Sequence, residues 1–228
     1  MRLKHLICEE FRLLFKYGII FLYVMITAIY LGLLAAIPDT ARELTTVILV
    51  FTDPAAMGLF FMGAVVLFEK SQRIDSSLAV APIKISEYMI AKVLPIMVIG
   101  MAVSVVLYLF AGSGNVFLVL LGVALASMLL SLCGLLIGSR IQTLNSFMIA
   151  TIPFEIVICV PPLLYLAGIL QSSIWILHPG VAAIRLIRAD ASQWYLSALS
   201  IVLWMIPIYY VCKKSVIKSF HKMGGAKI

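Results

Sequence analysis

The feature that most constrains this chain is a run of 47 residues, 93–139, without a single Asp, Glu, Lys or Arg. A bilayer core about 30 Å thick takes roughly 20 apolar residues for each helical crossing. The run is therefore long enough for two crossings, and the Gly-Ser-Gly-Asn turn at residues 112–115 divides it. A soluble domain has no means of burying so long an apolar segment, so the sequence predicts a polytopic membrane protein.

The same pattern recurs along the chain. Apolar runs of crossing length predict an all-α membrane protein with six transmembrane helices in a single domain, residues 1–228, with the spans inside 17–212. Charged residues make up 12% of the chain, against about 25% in soluble domains, which agrees with this class. The predicted spans are residues 17–38, 44–68, 87–110, 116–138, 147–169 and 194–212.

Two further segments are predicted to be helical without crossing the bilayer. Residues 1–16 are amphipathic and predict an elbow helix lying in the membrane interface. Residues 170–193 are too apolar for a free loop, but His178-Pro179-Gly180 interrupts them, so they predict a re-entrant or surface-lying outer hairpin between spans five and six. A secretory signal is the alternative for the N-terminus, but the 22-residue apolar run 17–38 exceeds a signal's apolar core of roughly 7–15 residues.

The distribution of basic residues predicts the orientation. With the N-terminus inside, the cytoplasmic segments hold 13 of the 17 Lys and Arg residues, five of them in the basic tail 213–228, and the outer segments hold three. This asymmetry predicts that both termini are cytoplasmic. The net charge of +7 is then explained by anionic lipid headgroups, and no nucleic-acid partner is expected.

Motifs for catalysis are missing from the sequence. It contains no G-x-x-x-x-G-K-[ST] phosphate loop, no His-Glu-x-x-His pair and no G-x-S-x-G nucleophile elbow. We therefore expect neither an enzyme nor a chain that holds its own cofactor or metal.

Two acidic residues fall inside predicted spans. Glu155 lies well inside the fifth span, where a carboxylate is costly unless it is neutralised, paired or hydrated. It is either a structural hydrogen-bonding group or part of a substrate pathway or subunit interface. Asp53 lies inside the second span and precedes Pro54, so an N-cap of a helix that starts at Pro54 explains it; a pathway or interface role is the alternative.

The fourth span carries a stripe of small residues at helical spacing, which predicts close packing against another helix. The stripe consists of Ser127, Ser131, Gly134 and Gly138.

The loop after the second span, residues 69–86, is the most informative segment. Ile74, Leu78 and Ala81 recur at i, i+4 and i+7, which predicts a short helix with one apolar edge on the cytoplasmic side. Arg73 and Asp75 lie at the rim of that edge. A solvated connector is the alternative interpretation.

This loop resembles that of the membrane subunits of type-2 ABC exporters. The shared pattern is an acidic residue closing the second span, Glu69, a short helix ending in Ala81-Pro82-Ile83, then Glu87-Tyr88 and Lys92 entering the third span. Phe51-Thr52-Asp53-Pro54 is similar to the small drug permeases of the fluoroquinolone-export type, although Arg73 stands where the family often has glycine. The six spans, the elbow and the outer hairpin extend the resemblance over the whole chain.

The resemblance implies that a separate ABC ATPase subunit, which holds ATP and Mg, docks on the 69–86 loop through Arg73, Ile74, Asp75, Leu78 and Ala81. It further implies a second permease, identical or not, a bacterial plasma (inner) membrane, and export of a small amphipathic or drug-like substrate. An importer-type or heme-export-like permease, a membrane-embedded enzyme and a non-transporting membrane scaffold remain the alternatives.

Overall fold

The computed structural model describes residues 2–55, 57–72, 83–111 and 114–224, and within these ranges the chain consists of helices and short connections. In the first half, one turn of π-helix, Phe51–Ala55 (the π-turn), separates the third and fourth helices. The helices of this half are α1 Arg2–Lys16, α2 Ile19–Ala36, α3 Asp39–Val50 and α4 Met57–Ser71.

The second half contains three long helices and a hairpin between the last two of them. The hairpin is formed by a short 3₁₀ helix, Ser173–Leu177, and α8. The helices are α5 Ile85–Ala111, α6 Val116–Arg140, α7 Leu144–Leu166, α8 Pro179–Ile187 and α9 Trp194–Gly224.

Six helical segments of the described chain are long and apolar enough to cross a bilayer. The prediction of an all-α polytopic membrane protein with six spans is therefore confirmed. The segments are Ile19–Ala36, Asp39–Ser71, Ile85–Ala111, Val116–Arg140, Leu144–Leu166 and Trp194–His221.

Helix α6 forms the centre of the bundle and packs against α4, α5, α8 and α9. Around it, α2, α7 and α9 expose large apolar side chains such as Phe21, Ile149 and Leu203. In water such a surface would be unstable, but lipid or a second membrane protein accommodates it. The exposed faces are thus those expected of a bundle whose solvent is hydrocarbon.

Local sequence signals explain several helix ends. Gly18, with φ of 74°, makes the left-handed turn between α1 and α2, a conformation that glycine adopts without strain. Arg42 donates to the carbonyl oxygens of Leu34 and Ile37 at 3.0 and 3.2 Å and so caps the end of α2. Asn115 Oδ1 accepts from the Phe117 amide at 2.9 Å at the start of α6.

The prediction that Asp53 is the N-cap of a helix starting at Pro54 is wrong. Helix α3 already begins at Asp39, and the chain passes through the π-turn before α4. Pro54 has no amide hydrogen, so it cannot donate a hydrogen bond to the preceding turn of the helix. The Thr52 hydroxyl donates to the Ile48 oxygen at 2.8 Å, four residues earlier in the same helix. The helix therefore continues through the π-turn rather than restarting at Pro54, and Asp53 lies inside it instead of at a capping position.

The sixth span is longer than predicted. Helix α9 continues past Cys212 to Gly224, so the first part of the predicted basic tail is helical. Its extension is held by buried Val216 and by ring contact of Phe220 with Tyr88, whose centroids lie 5.2 Å apart. Packing against α5 thus stabilises α9 beyond Cys212, where the basic residues of the sequence predicted that the span ends.

The segments predicted as elbow and hairpin are helical in the structure. Helix α1 covers the predicted elbow, and α8 is buried at every residue except Arg185. Gly180 lies so close to α7 that an added Cβ would stand 2.1 Å from the Ile158 oxygen, which explains why a glycine is needed there. That α1 lies in the membrane interface and that the hairpin is re-entrant stay predictions.

Candidate functional site

A buried ion cluster joins three helices. It lies at the end of the bundle from which the loop containing residues 73–82 leaves, and we call this end of the bundle the loop end. Lys92 of α5 places its Nζ 2.7 Å from Glu10 Oε1 of α1 and also contacts Glu69 Oε1 of α4. The Lys92 side chain is 0% exposed and that of Glu69 is 1% exposed. The cluster therefore fixes α1, α4 and α5 to one another through charges that are shielded from water.

The burial of this cluster makes each partner depend on the others. Removing one member of a buried ion pair typically costs about 3–5 kcal/mol, because the remaining charge has lost both water and its partner. Lys92 Nζ also lies 5.2 Å from the centroid of the Tyr88 ring, whose electron-rich face stabilises a cation further. A movement of α4 relative to α5 must therefore carry α1 with it or break the cluster.

The neighbouring Lys70 extends this connection to α6. Its Nζ donates to the carbonyl oxygens of Gly138, Ser139 and Ile141 at 2.7, 2.9 and 2.9 Å. These carbonyls belong to the C-terminal end of α6, where a cation is favourable both for hydrogen bonding and for the helix dipole. The last turn of α4 is thus fixed to the central helix of the bundle.

Helix α9 joins the loop end through hydroxyl contacts. Ser215 Oγ lies 2.8 Å from Ser139 Oγ and accepts from Arg140 Nε at 3.1 Å. At the loop's entry, the ring of Tyr17 stacks on Phe68 with centroids 5.4 Å apart. Five helices therefore converge on the residues that flank the loop.

The central part of the 69–86 loop, residues 73–82, lies outside the described residues. This applies to all five predicted docking residues, which are Arg73, Ile74, Asp75, Leu78 and Ala81. What the structure describes is the two ends of the loop, which leave and rejoin the bundle within the region of the ion cluster.

Sequence reasoning noted Glu69 and Lys92 but missed Glu10. A signal was present, because Glu10 follows Ile7 by three residues and precedes Leu14 by four, which places it on the apolar side of α1. Leu14 is 2% exposed and Glu10 is 9% exposed, so this side of α1 is buried in the bundle. An acidic residue on the apolar side of a helix indicates a buried cationic partner.

The small-residue stripe of α6 faces α4. A Cβ added to Gly134 would lie 2.2 Å from the Leu59 oxygen, and one added to Gly138 would lie 3.2 Å from the Cα of Gly63. Ser131 lies about one turn before Gly134 and Ser127 about two turns before it, and both are fully buried beside Gly58. The stripe thus lies where α4 and α6 approach most closely.

The two acidic residues within the spans occupy different environments. Asp53 is 1% exposed in the π-turn, and neither of its carboxylate oxygens has a hydrogen-bond partner among the described residues. Glu155 is half-buried on α7 and forms no ion pair within the described chain. The structure does not bring these two residues together with each other or with the loop end.

An apolar cavity is lined in part by residues of α7, the helix that carries Glu155. Its volume is about 360 Å³, and it opens between α7 and α9 with α6 as its floor and the hairpin at one end. His178, with one ring nitrogen 2.9 Å from the Val157 oxygen, and Trp204, donating to the Leu177 oxygen at 3.0 Å, hold the hairpin in place. Side chains lining the cavity include Leu129, Cys133, Phe154, Val157, Trp204 and Ile208.

Comparison with known protein families identifies the class. The model of the fluoroquinolones export permease protein family matches residues 1–222, which is nearly the entire chain. The chain belongs to this family. A fluoroquinolones export permease is a transport protein of the membrane, in agreement with six spans and with the expectation of a transport subunit rather than an enzyme.

Individual relatives of this permease are distant. Two curated proteins, each named a fluoroquinolones export permease protein, come from Mycobacterium tuberculosis strains CDC 1551 / Oshkosh and H37Rv. Each is 28% identical over 168 residues, which cover 72% of this chain and 70% of the relative. No solved structure matches the chain significantly.

Proposed function

We propose that this permease is the membrane subunit of an ABC exporter and that a separate ATPase subunit drives it. The observation that carries the proposal is the convergence of α1, α4, α5 and α6 on the two ends of the 69–86 loop through Lys92 and Lys70. A loop held in this way transmits a push to several spans at once. An unanchored connector would move without displacing them.

The substrate of this exporter is a small amphipathic or drug-like molecule. The names of the relatives support this class, as does the apolar cavity of about 360 Å³ between α7 and α9. Pockets for drug-sized ligands are typically about 300–1,000 Å³ and mostly apolar.

The assembly contains a second permease, the same or different, above two ATPase subunits, in a bacterial plasma membrane. Helices α2 and α7 expose apolar side chains that lipid or a second permease would cover. The excess of Lys and Arg in the predicted inner segments supports cytoplasmic termini and a cytoplasmic loop, where ATP is available.

The docking role is tested by Leu78→Asp, which places a charge on the predicted apolar edge of the loop helix. We expect normal insertion into the membrane but loss of the ATPase subunit on purification, or ATP hydrolysis without transport, since burying a leucine contributes about 1.5–3 kcal/mol. Ser76→Asp is the matched control, because Ser76 is predicted on the opposite side of the same helix. An intact complex with coupled transport in Leu78→Asp would exclude docking through this edge.

A further inference from the structure

Asp53 is the most unusual polar group in the bundle. It lies near the middle of the Asp39–Ser71 span, is 1% exposed, and has both carboxylate oxygens buried without a hydrogen-bond partner in the described chain. Unpaired buried polar groups are rare and call for an explanation. A role as N-cap would have explained the buried Asp53, but the position of Asp53 inside the π-turn excludes that role.

The surroundings of Asp53 contain hydroxyl groups rather than cations. Tyr23 and Tyr30 of α2 lie within electrostatic range of the carboxylate, and the Tyr23 hydroxyl is itself buried without a partner among the described residues. Ring contact with Phe61, at 4.9 Å between centroids, holds Tyr23 in place. Asp53 and Tyr23 are thus two buried polar groups that have no hydrogen-bond partner in the described chain.

The basic residues of the helices around the π-turn are engaged elsewhere. In the described chain Asp53 forms no ion pair, and neither of its carboxylate oxygens accepts a hydrogen bond. On the surrounding helices, Arg42 pairs with Asp39, Lys70 binds carbonyl groups of α6, Lys92 pairs with Glu10 and Glu69, Arg140 binds Ser215, and Arg185 pairs with Asp190.

We propose that Asp53 is a proton-binding site: in this conformation the carboxyl group holds a proton, and it releases that proton when the bundle opens and admits water. An ionised carboxylate without water, partner or cation is strongly disfavoured in a membrane span, whereas a protonated carboxyl group is neutral and gains a hydrogen-bond donor. A proton is small enough to bind to the carboxyl group without a cavity beside it.

The π-turn supplies a reason for the site to open. π-turns inside α-helices are frequent at functional sites, and here the turn interrupts the regular hydrogen bonding between α3 and α4 at Asp53 itself. In water an aspartic acid is ionised at neutral pH. Any movement that hydrates the π-turn therefore releases a proton, and reclosure takes one up.

Infrared spectroscopy of the purified protein in lipid tests the site directly. We expect a carbonyl band of a protonated carboxyl group at pH 7 that shifts on labelling with carboxyl-¹³C aspartate and in D₂O. The label restricts the signal to the four aspartates, of which Asp39 and Asp190 form ion pairs with arginines. The band should disappear in Asp53→Asn and persist in Glu155→Gln.

If the wild-type protein shows no labelled carboxyl band at pH 7, the proposal is overturned. This measurement uses the wild-type protein alone, so it does not depend on whether a variant folds. A labelled band that persists unchanged in Asp53→Asn would overturn it as well, since the proton would then reside on another aspartate. Neither result depends on an ATPase partner or a transported drug, so the outcome is separate from that of the proposed export function.

The link to movement rests on the proposed export function. Transport of a fluoroquinolone by the complex, measured between pH 6 and 8, should depend on pH in the wild type and lose that dependence in Asp53→Asn, whose amide holds no titratable proton. Identical pH profiles for the two proteins would overturn the link between proton occupancy and opening.

Discussion

The loop end and the π-turn both bury carboxylates, but their surroundings differ. At the loop end, Lys92 lies between Glu10 and Glu69, so the acidic groups keep their charge in a dry environment. At the π-turn, Asp53 is equally buried and, in the described chain, has neither a cation nor a hydrogen bond. A buried acidic group beside a cation thus fixes helices together, whereas the isolated Asp53 is the group that we propose to bind and release a proton.

The loop end and the π-turn also differ in the helices that they connect. The ion cluster and Lys70 connect α1, α4, α5 and α6 near the loop, whereas the π-turn lies where the regular backbone of the second span is interrupted. If force enters at the loop end, as in the proposed export function, we expect the second span to bend at the π-turn, where its regular hydrogen bonding is interrupted. This arrangement suits a permease that is opened from its loop end.

The largest effect is expected from Lys92→Met, which removes the cation of the cluster but keeps its chain length. Glu10 and Glu69 would then lose the cation that lies between them, so we expect a loss of about 3–5 kcal/mol in the free energy of unfolding. Thermal unfolding followed by tryptophan fluorescence, with the protein in lipid nanodiscs, measures it. Lys84→Met is the control, because the Lys84 side chain is exposed. Equal midpoints for the two variants would show that the cluster does not stabilise the fold.

The next effect concerns the close approach of α4 and α6 between the two regions. Gly134→Ala introduces a Cβ that would lie 2.2 Å from the Leu59 oxygen, so the helices must move apart, at a cost of about 1–3 kcal/mol. Gly32→Ala is the matched control, since nothing lies within 4 Å of its added Cβ. The same unfolding assay compares them. If Gly134→Ala proves as stable as Gly32→Ala, the stripe does not set the distance between α4 and α6.

A smaller effect is expected from Asp53→Asn, and its size distinguishes the two charge states. If Asp53 is protonated, a neutral amide of the same shape replaces a neutral acid, and stability at pH 7 should change by less than about 1 kcal/mol. If Asp53 is ionised, the substitution removes a buried unpaired charge and should stabilise the protein by several kcal/mol. The unfolding midpoint at pH 7 decides between them, and a large stabilisation would contradict a protonated Asp53.

The sequence predicts the spans better than the contacts between them. Apolar runs of crossing length are local features, so six spans could be located, but α3 begins at Asp39 rather than at residue 44 and α9 ends at Gly224 rather than at Cys212. Those ends depend on tertiary contacts such as Arg42 with α2 and Phe220 with Tyr88. Likewise Glu10 and Lys92 are 82 residues apart in the chain, a separation at which no local pattern specifies a pairing.

The smallest effect concerns Asp190, an acidic residue outside the spans that is partnered like those at the loop end but more exposed. Partial burial acts to raise the pKa of Asp190, but hydrogen bonds from the Ser192 hydroxyl and amide, together with Arg185, outweigh it and leave the pKa below its usual value. Because the pKa is lower in the folded state, the contribution to stability is present above the unfolded value of about 3.9 and is lost as the pH falls through the folded one.

For Asp190→Asn we therefore expect a loss of about 0.2–1 kcal/mol at pH 7, the range of exposed ion pairs, that shrinks toward zero as the pH is lowered below about 4. Tryptophan fluorescence is well placed to detect it, because Trp175, Trp194 and Trp204, the three tryptophans of the chain, lie in the hairpin or on α9. High salt should reduce the difference at pH 7, since an exposed pair is screened. If the difference in stability between wild type and variant stays constant from pH 7 to pH 3, the Asp190 carboxylate contributes through its shape and not through its charge. Of the two regions, only the buried loop end would then be stabilised by ion pairs.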